Sequence, residues 1–187
     1  MAKDFYTKKA MQEGYFARSA YKLKQMNKKY SIIKKNGNIL DLGCWPGGWI
    51  QASLEVIGDN GSIIGIDMKE VNINNKNFKF HKMDVFDKSI SQINKKFDAV
   101  ISDLAPKTTG IKDLDRHKSF QLAFRAMEIA RSNLKHNGNF LVKIFQGEEF
   151  IKFLNECKKY FNFVKCDKPL ASKKKSVEMY VICKGLK

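Results

Sequence analysis

The sequence lacks several features that would each have decided its class. No apolar run approaches the roughly 18 residues that a bilayer-spanning helix needs. The N-terminus has no apolar signal segment, and Met1–Lys9, although basic, carries Asp4, which suits a transit peptide poorly. Only four cysteines are present. Cys44, Cys157, Cys166 and Cys183 give neither CxxC pairs nor the spacing of a small disulfide scaffold. His81, His117 and His136 do not cluster with them, so no metal site is indicated. The fingerprints GxGxxG and GxxxxGK[ST] are missing too, which argues against dinucleotide and ATP binding. These absences leave a protein expected to be reduced, intracellular and without a membrane anchor, in the cytoplasm, the nucleolus or an organelle such as the mitochondrion.

Acidic residues are the other shortage. Asp and Glu number 19 against 35 Lys and Arg, a formal net charge of +16. An excess of this size points to a polyanionic partner: RNA, DNA or anionic lipid. The Asn- and Lys-rich stretch around Asn72, Asn74, Asn75, Lys76 and Asn77 also fits compositional drift, which would place part of that charge on a solvated face.

What is present reads as one globular domain over residues 1–187, with 43% hydrophobic and 29% charged residues. Residues 1–16 are expected to form a flexible basic segment. Apolar patterning predicts strands over 38–42, 62–66, 78–82, 97–102, 139–145, 161–166 and 177–183. Helical periodicity predicts helices over 17–30, 49–57, 90–96, 118–134 and 148–160. Strands alternating with helices indicate an α/β fold with a mainly parallel sheet. The last two strands have no helix between them. A parallel crossover takes about a dozen residues or more, so they are expected to pair antiparallel.

The segment Asp41-Leu-Gly-Cys-Trp-Pro-Gly-Gly-Trp49 joins the first strand to a helix. Glycines there let the chain turn tightly and let a ligand approach the main chain. The free N–H groups of a helix start suit an anionic ligand group. The plainer alternative is a structural turn with Trp49 in the core. Asp67, Asp84 and Asp103 end the next three strands, at the sheet edge where α/β folds bind ligands. Asp67 suits ribose hydroxyls and Asp84 an adenine amino group. Any one of them could instead face solvent.

Lys143 stands inside Phe140-Leu-Val-Lys-Ile-Phe145. A lysine there is costly unless it is paired or lies on a strand that reaches water. It is either an edge residue or a desolvated amine beside a carboxylate, held for proton chemistry. Glu178 raises the same choice in Val177-Glu-Met-Tyr-Val-Ile182.

Five segments, in order, resemble the FtsJ/RrmJ family of RNA ribose 2'-O-methyltransferases: Arg18-Ser-Ala-Tyr-Lys-Leu23, Asp41 to Trp49, Ser102-Asp-Leu-Ala-Pro106, Val142-Lys-Ile-Phe-Gln-Gly-Glu148 and Ser176-Val-Glu-Met-Tyr180. The likeness runs from about Arg18 to Gly185 and is strongest to members that methylate a uridine of large-subunit ribosomal RNA. It implies a Rossmann-like fold with a seven-stranded, mostly parallel sheet, an antiparallel last strand inserted in it, and helices on both faces. It implies a catalytic tetrad of Lys22, Asp103, Lys143 and Glu178. It implies S-adenosylmethionine as cofactor, leaving S-adenosylhomocysteine, with contacts from Gly43, Gly47, Gly48, Trp49, Asp67, Met68, Asp84, Val85 and Asp103. The implied partner is RNA, within large-subunit rRNA or the assembling subunit, bound by a monomer. Arg18 and Lys24, with the run Lys173, Lys174 and Lys175 near Glu178, are candidates to hold phosphates. Such a run is otherwise a solvated loop. Two departures stand out: the family has small residues where this chain has Cys44 and Trp45, and many members have Asn where it has Lys107.

In this reading Lys143 is the base or orienting group for the 2'-hydroxyl, with Lys22 as the cation that favours loss of its proton. Competing readings are a tRNA or mRNA-cap ribose methyltransferase, a methyltransferase acting on a base, protein or small molecule, and an RNA-binding protein on the same fold without activity. A nicotinamide-dependent oxidoreductase is more distant.

Overall fold

A computed structural model describes residues 5–93, 95–173 and 175–187. In chain order its elements are α1 (Phe5–Gln12), α2 (Ser19–Tyr30), β1 (Asn38–Leu42), α3 (Gly48–Ile57), β2 (Ser62–Asp67), β3 (Phe78–Lys82), a 3-10 turn (Lys88–Gln92), β4 (Phe97–Ser102), α4 (Lys112–Asn133), β5 (Leu134–Phe145), α5 (Glu149–Tyr160), β6 (Phe161–Asp167) and β7 (Glu178–Leu186).

The apolar runs become strands because both faces of the sheet are covered. Side chains alternate across it. Ile39, Ile63, Ala99, Ile101, Leu141 and Ile182 meet α2 and α3 on one face. Leu40, Leu42, Val100, Phe140, Val142 and Val181 meet α4 and α5 on the other. The seven strands lie in the order β3-β2-β1-β4-β5-β7-β6. β1 to β5 run parallel to one another, and β7 is inserted antiparallel between β5 and β6. The seven-stranded architecture and the C-terminal antiparallel pair are both as expected. The strand order reverses between β1 and β4, so their C-terminal ends open the crevice where such sheets take ligands.

Four elements differ from the sequence reading. Residues 5–12 form a helix, with Ala10 buried against Tyr6, Tyr15 and Tyr21. Its amphipathic signal is short and interrupted by lysines. α4 begins at Lys112, not 118, because its first turns are polar. Asp113 and Asp115 favour the helix N-terminus. The Asp115 carboxylate also accepts the N–H groups of Thr109 at 2.7 Å and Gly110 at 3.2 Å. The helix expected over 90–96 is the 3-10 turn, started by Asp87 accepting the Ser89 N–H at 2.8 Å. β5 begins at Leu134 opposite Phe97, and the register then shifts so that Asn139 faces Ala99. Asn137, at φ 61°, lies within that interruption.

Candidate active site

Strand register brings the expected tetrad together. Lys143 lies on the same face of β5 as Leu141 and is paired in register with Tyr180 of β7. Ser102 stands beside Val142, so Asp103, the next residue after β4, reaches Lys143. Glu178 opens β7, and Lys22 descends from α2. Lys143 Nζ lies 3.0 Å from Asp103 Oδ1 and donates to the Asp103 backbone carbonyl at 2.7 Å. Lys22 Nζ lies 3.0 Å from Glu178 Oε2. Lys143 and Glu178 Oε1 are 4.0 Å apart.

The two lysine side chains are only 7% and 5% exposed, which decides the choice left open by sequence. Lys143 is not on an edge strand, since β5 has β4 and β7 on its two sides. Breaking a buried pair by removing one partner costs about 3–5 kcal/mol, so these contacts hold the elements as well as the chemistry. Burial pushes Asp103 up, but the neighbouring Lys143 and Lys22 and a hydrogen bond from Tyr180 outweigh it, holding the carboxyl below its ordinary range. Tyr180, fully buried, donates its hydroxyl to Asp103 Oδ1 at 2.7 Å and accepts from Lys22 at 3.1 Å. Sequence reasoning passed over it because a tyrosine in an apolar strand looks like core.

The second half of the site is built from the turn after β1. Its start is pinned to β2, where the Ile66 carbonyl accepts the Gly43 and Cys44 N–H groups at 2.8 and 3.2 Å. Gly47 has φ 111°, and a Cβ there would lie 2.9 Å from Phe16 and 3.0 Å from Ile73. Gly48, also buried, starts α3. The Trp49 side chain is in the core, where Nε1 donates to the Ser19 carbonyl at 2.9 Å and the ring packs near Tyr180. Only its main chain, in the first turn of α3, offers an N–H without an intrahelical acceptor.

Asp67 ends β2 and accepts the Trp45 N–H at 3.0 Å and the Lys69 N–H at 2.8 Å. Met68 beside it is exposed. Asp84 follows β3, exposed, and accepts the Phe86 N–H at 3.0 Å, while Val85 is buried. Trp45 is half-exposed, with the Lys69 ammonium 4.0 Å over its ring, so it points away from the core. Lys107 is exposed. Asp41, near the end of β1, is fully buried, and neither of its oxygens has a hydrogen-bond partner. Burial, then the charges of Asp103 and Asp67, push its carboxyl well above the ordinary range.

The candidate RNA contacts divide. Lys173 and Lys175 are exposed, and Lys174 lies outside the described residues. The Arg18 guanidinium donates to the Ala171 carbonyl at 2.9 Å, tying the start of α2 to the loop before β7. Lys24 is paired with Glu55 at 2.8 Å and bonded to the Tyr15 hydroxyl at 2.6 Å, so its charge is already compensated.

The chain is similar to known proteins in sequence and in fold. The sequence pattern of the FtsJ-like methyltransferase family matches residues 15–186. A ribosomal RNA large subunit methyltransferase E of Desulfatibacillum aliphaticivorans is 42% identical over 184 residues, 96% of this chain and 89% of that protein. The protein of the same name from Methanosphaera stadtmanae is 42% identical, over 99% of this chain and 94% of its own. Among solved structures, a ribosomal RNA methyltransferase from Plasmodium falciparum superposes with a TM-score of 0.79 at 31% identity, covering 92% of this chain and 98% of that one. A fibrillarin from Aeropyrum pernix with bound S-adenosyl-L-methionine, 15% identical, shares the fold alone at a TM-score of 0.62, over 88% of this chain and 73% of its own.

Proposed function

The chain belongs to the FtsJ-like methyltransferase family, and from that premise we propose that it transfers a methyl group from S-adenosylmethionine to a ribose 2'-hydroxyl of large-subunit ribosomal RNA, at a uridine. The observation that carries the reading is the tetrad of Lys22, Asp103, Lys143 and Glu178, with both lysines buried and both carboxylates half-buried, gathered from four places at the ligand-binding edge of the sheet. The working unit is a single chain inside the cell.

The residues beside the tetrad fit the cofactor. A buried carboxylate with no partner, as at Asp41, calls for a cation or N–H donor nearby, and the cofactor has a cationic methionine end. The Gly43–Gly48 turn would hold that end through main chain, Asp67 the ribose hydroxyls, and Asp84 with Met68 and Val85 the adenine. When bound, the cofactor would supply a sulfonium methyl group that an oxygen nucleophile can attack, the thioether of S-adenosylhomocysteine being the leaving group.

The chain supplies the rest. Lys143 directs two N–H bonds at one residue, to the Asp103 carbonyl and to Oδ1. A neutral amine makes both bonds and still has its lone pair, so it can accept the 2'-hydroxyl proton while remaining anchored. Lys22 stands in the same cluster, donating to Glu178 and to the Tyr180 hydroxyl oxygen. Asp103 and Glu178 orient the amines. Because both lysines are nearly closed to water and paired with carboxylates, the arrangement is held in place before substrate arrives. Lys173 and Lys175 lie on the loop that leads into β7 and Glu178, where they can grip phosphates without reading bases.

Transfer of labelled methyl from S-adenosylmethionine to ribosomal RNA, followed by mapping of the modified nucleotide, tests the reading. Label should appear in a dinucleotide resistant to alkaline cleavage, since a 2'-O-methyl group blocks hydrolysis of the adjacent linkage. Label confined to bases or to protein overturns it.

A further inference from the structure

Tyr180 carries a hydroxyl into the tetrad from below. Its backbone faces Lys143 across the β5–β7 pair, and its ring lies 6.0 Å from that of Trp49. A phenol has one proton to donate. It goes to Asp103 Oδ1, because an ionised carboxylate can only accept. The phenol oxygen then accepts from Lys22. Burial, with the negative charges of Asp103 and Glu178, pushes the Tyr180 hydroxyl well above its ordinary range, so it keeps its proton.

These bonds make the two lysines unequal. Each donates to two acceptors, Lys22 to Glu178 Oε2 and the Tyr180 oxygen, Lys143 to the Asp103 carbonyl and Oδ1, so the difference lies in which acceptor is shared. Lys143 has to share Asp103 Oδ1 with the tyrosine. A second donor on that oxygen disperses its negative charge and weakens its hold on a lysine proton. The charged groups around the hydroxyl are Arg18, just before α2, Lys22 from α2, Asp103 after β4, Lys143 from β5 and Glu178 from β7, with Asp41 of β1 acting on Asp103 from further away.

We propose that Tyr180 is a positioning residue for the proton transfer: by donating to Asp103 and accepting from Lys22, it assigns the ammonium to Lys22 and leaves Lys143 as the amine that takes the substrate proton. This rests on the methyl-transfer reading above and deepens it.

The experiment is the pH dependence of turnover at saturating cofactor and RNA for wild type and Tyr180→Phe. Without the phenol, Asp103 holds the Lys143 proton more tightly. The acid limb should therefore move to higher pH. Turnover should fall about three- to tenfold near neutrality and converge on wild type at alkaline pH. An equal loss at every pH, or an unmoved limb, overturns the proposal. A second variant carries 3-fluorotyrosine at position 180, which keeps the ring shape and donates more strongly. Its limb should move to lower pH, and a limb that stays in place or moves upward overturns the proposal even where the phenylalanine variant fails to fold. If wild type transfers no methyl to RNA, the functional reading itself has failed. An active wild type with Tyr180 variants whose limb is unmoved refutes only the tyrosine's role.

Discussion

Asp41 and Asp103 lie at the same crevice, and their surroundings pull them in opposite directions. Asp103, in the transfer half, is met by Lys143, Lys22 and Tyr180 and is held ionised. Asp41, beneath the glycine turn in the cofactor half, has no partner and is pushed toward its neutral form. The transfer half is complete in the free protein, closed by contacts between residues far apart in sequence, such as Lys22 with Glu178 and Asp103 with Tyr180. The cofactor half comes from short contiguous stretches held by main-chain bonds, and it leaves a buried polar group unsatisfied. Under the proposed function, one half keeps its charges paired and the other is completed by the cofactor.

The largest effect that would test this division comes from Lys143→Ala. Methyl transfer should fall by about 10²- to 10⁴-fold, while cofactor affinity by calorimetry stays within about threefold. A parallel loss of affinity would mean that the halves are not separable. Gly47→Ala is the mirror case. Its φ of 111° is a left-handed conformation, and the added methyl would meet Phe16. Strain of about 1–3 kcal/mol should weaken cofactor binding by about tenfold or more. Turnover at saturating cofactor should then change little.

The two aspartates should separate in stability-versus-pH profiles of the free protein. Asp103 has a lowered folded-state value, so its stabilisation is fully present above its unfolded value of about 4 and is lost as pH falls through the lowered one. Asp103→Asn should therefore lower the neutral-pH Tm. Asp41 has a raised folded-state value, so it destabilises increasingly as pH rises from about 4 through that value. Asp41→Asn should raise neutral-pH stability by on the order of 1 kcal/mol, about 2–4 °C in Tm, with the gain gone below pH of about 4. A fall in Tm would show that Asp41 has partners after all. The smallest effect concerns RNA. Replacing Lys173 and Lys175 by alanine should lower the salt slope of RNA binding by about one to two, whereas Lys24→Ala, already paired with Glu55, should leave it near wild type.

Much of this was legible in the chain. β1 and β4 fall where apolar patterning places them, because a strand buried on both faces has to be largely apolar, while β3, an edge strand alternating Phe78 and Phe80 with basic residues, is found at the same bounds. The tetrad positions were legible through family resemblance, and Lys143 was conspicuous as a charge in an apolar strand. The start of α4 was hidden because its first turns are polar and are stabilised by Asp115 and the helix dipole. The 5–12 helix was hidden because it is short and its apolar contacts come from Tyr15 and Tyr21 outside it. For Trp49 the sequence left a cofactor contact and a core position open, and the structure puts its ring in the core.

The sequence by itself determined the α/β class, the glycine turn, the carboxylates at strand ends and the positive charge, since each is a local pattern or a composition. Only the tertiary structure decided which charges meet. Lys24 and Lys22 are two residues apart on one helix, yet one is compensated at the surface by Glu55 and the other is buried against Glu178. Likewise Asp41 and Asp103 are both strand-end aspartates, and their opposite behaviour depends on which side chains the sheet order sets beside them. Electrostatic energies fall off with distance in space, not along the chain, so strand order and register carry that information.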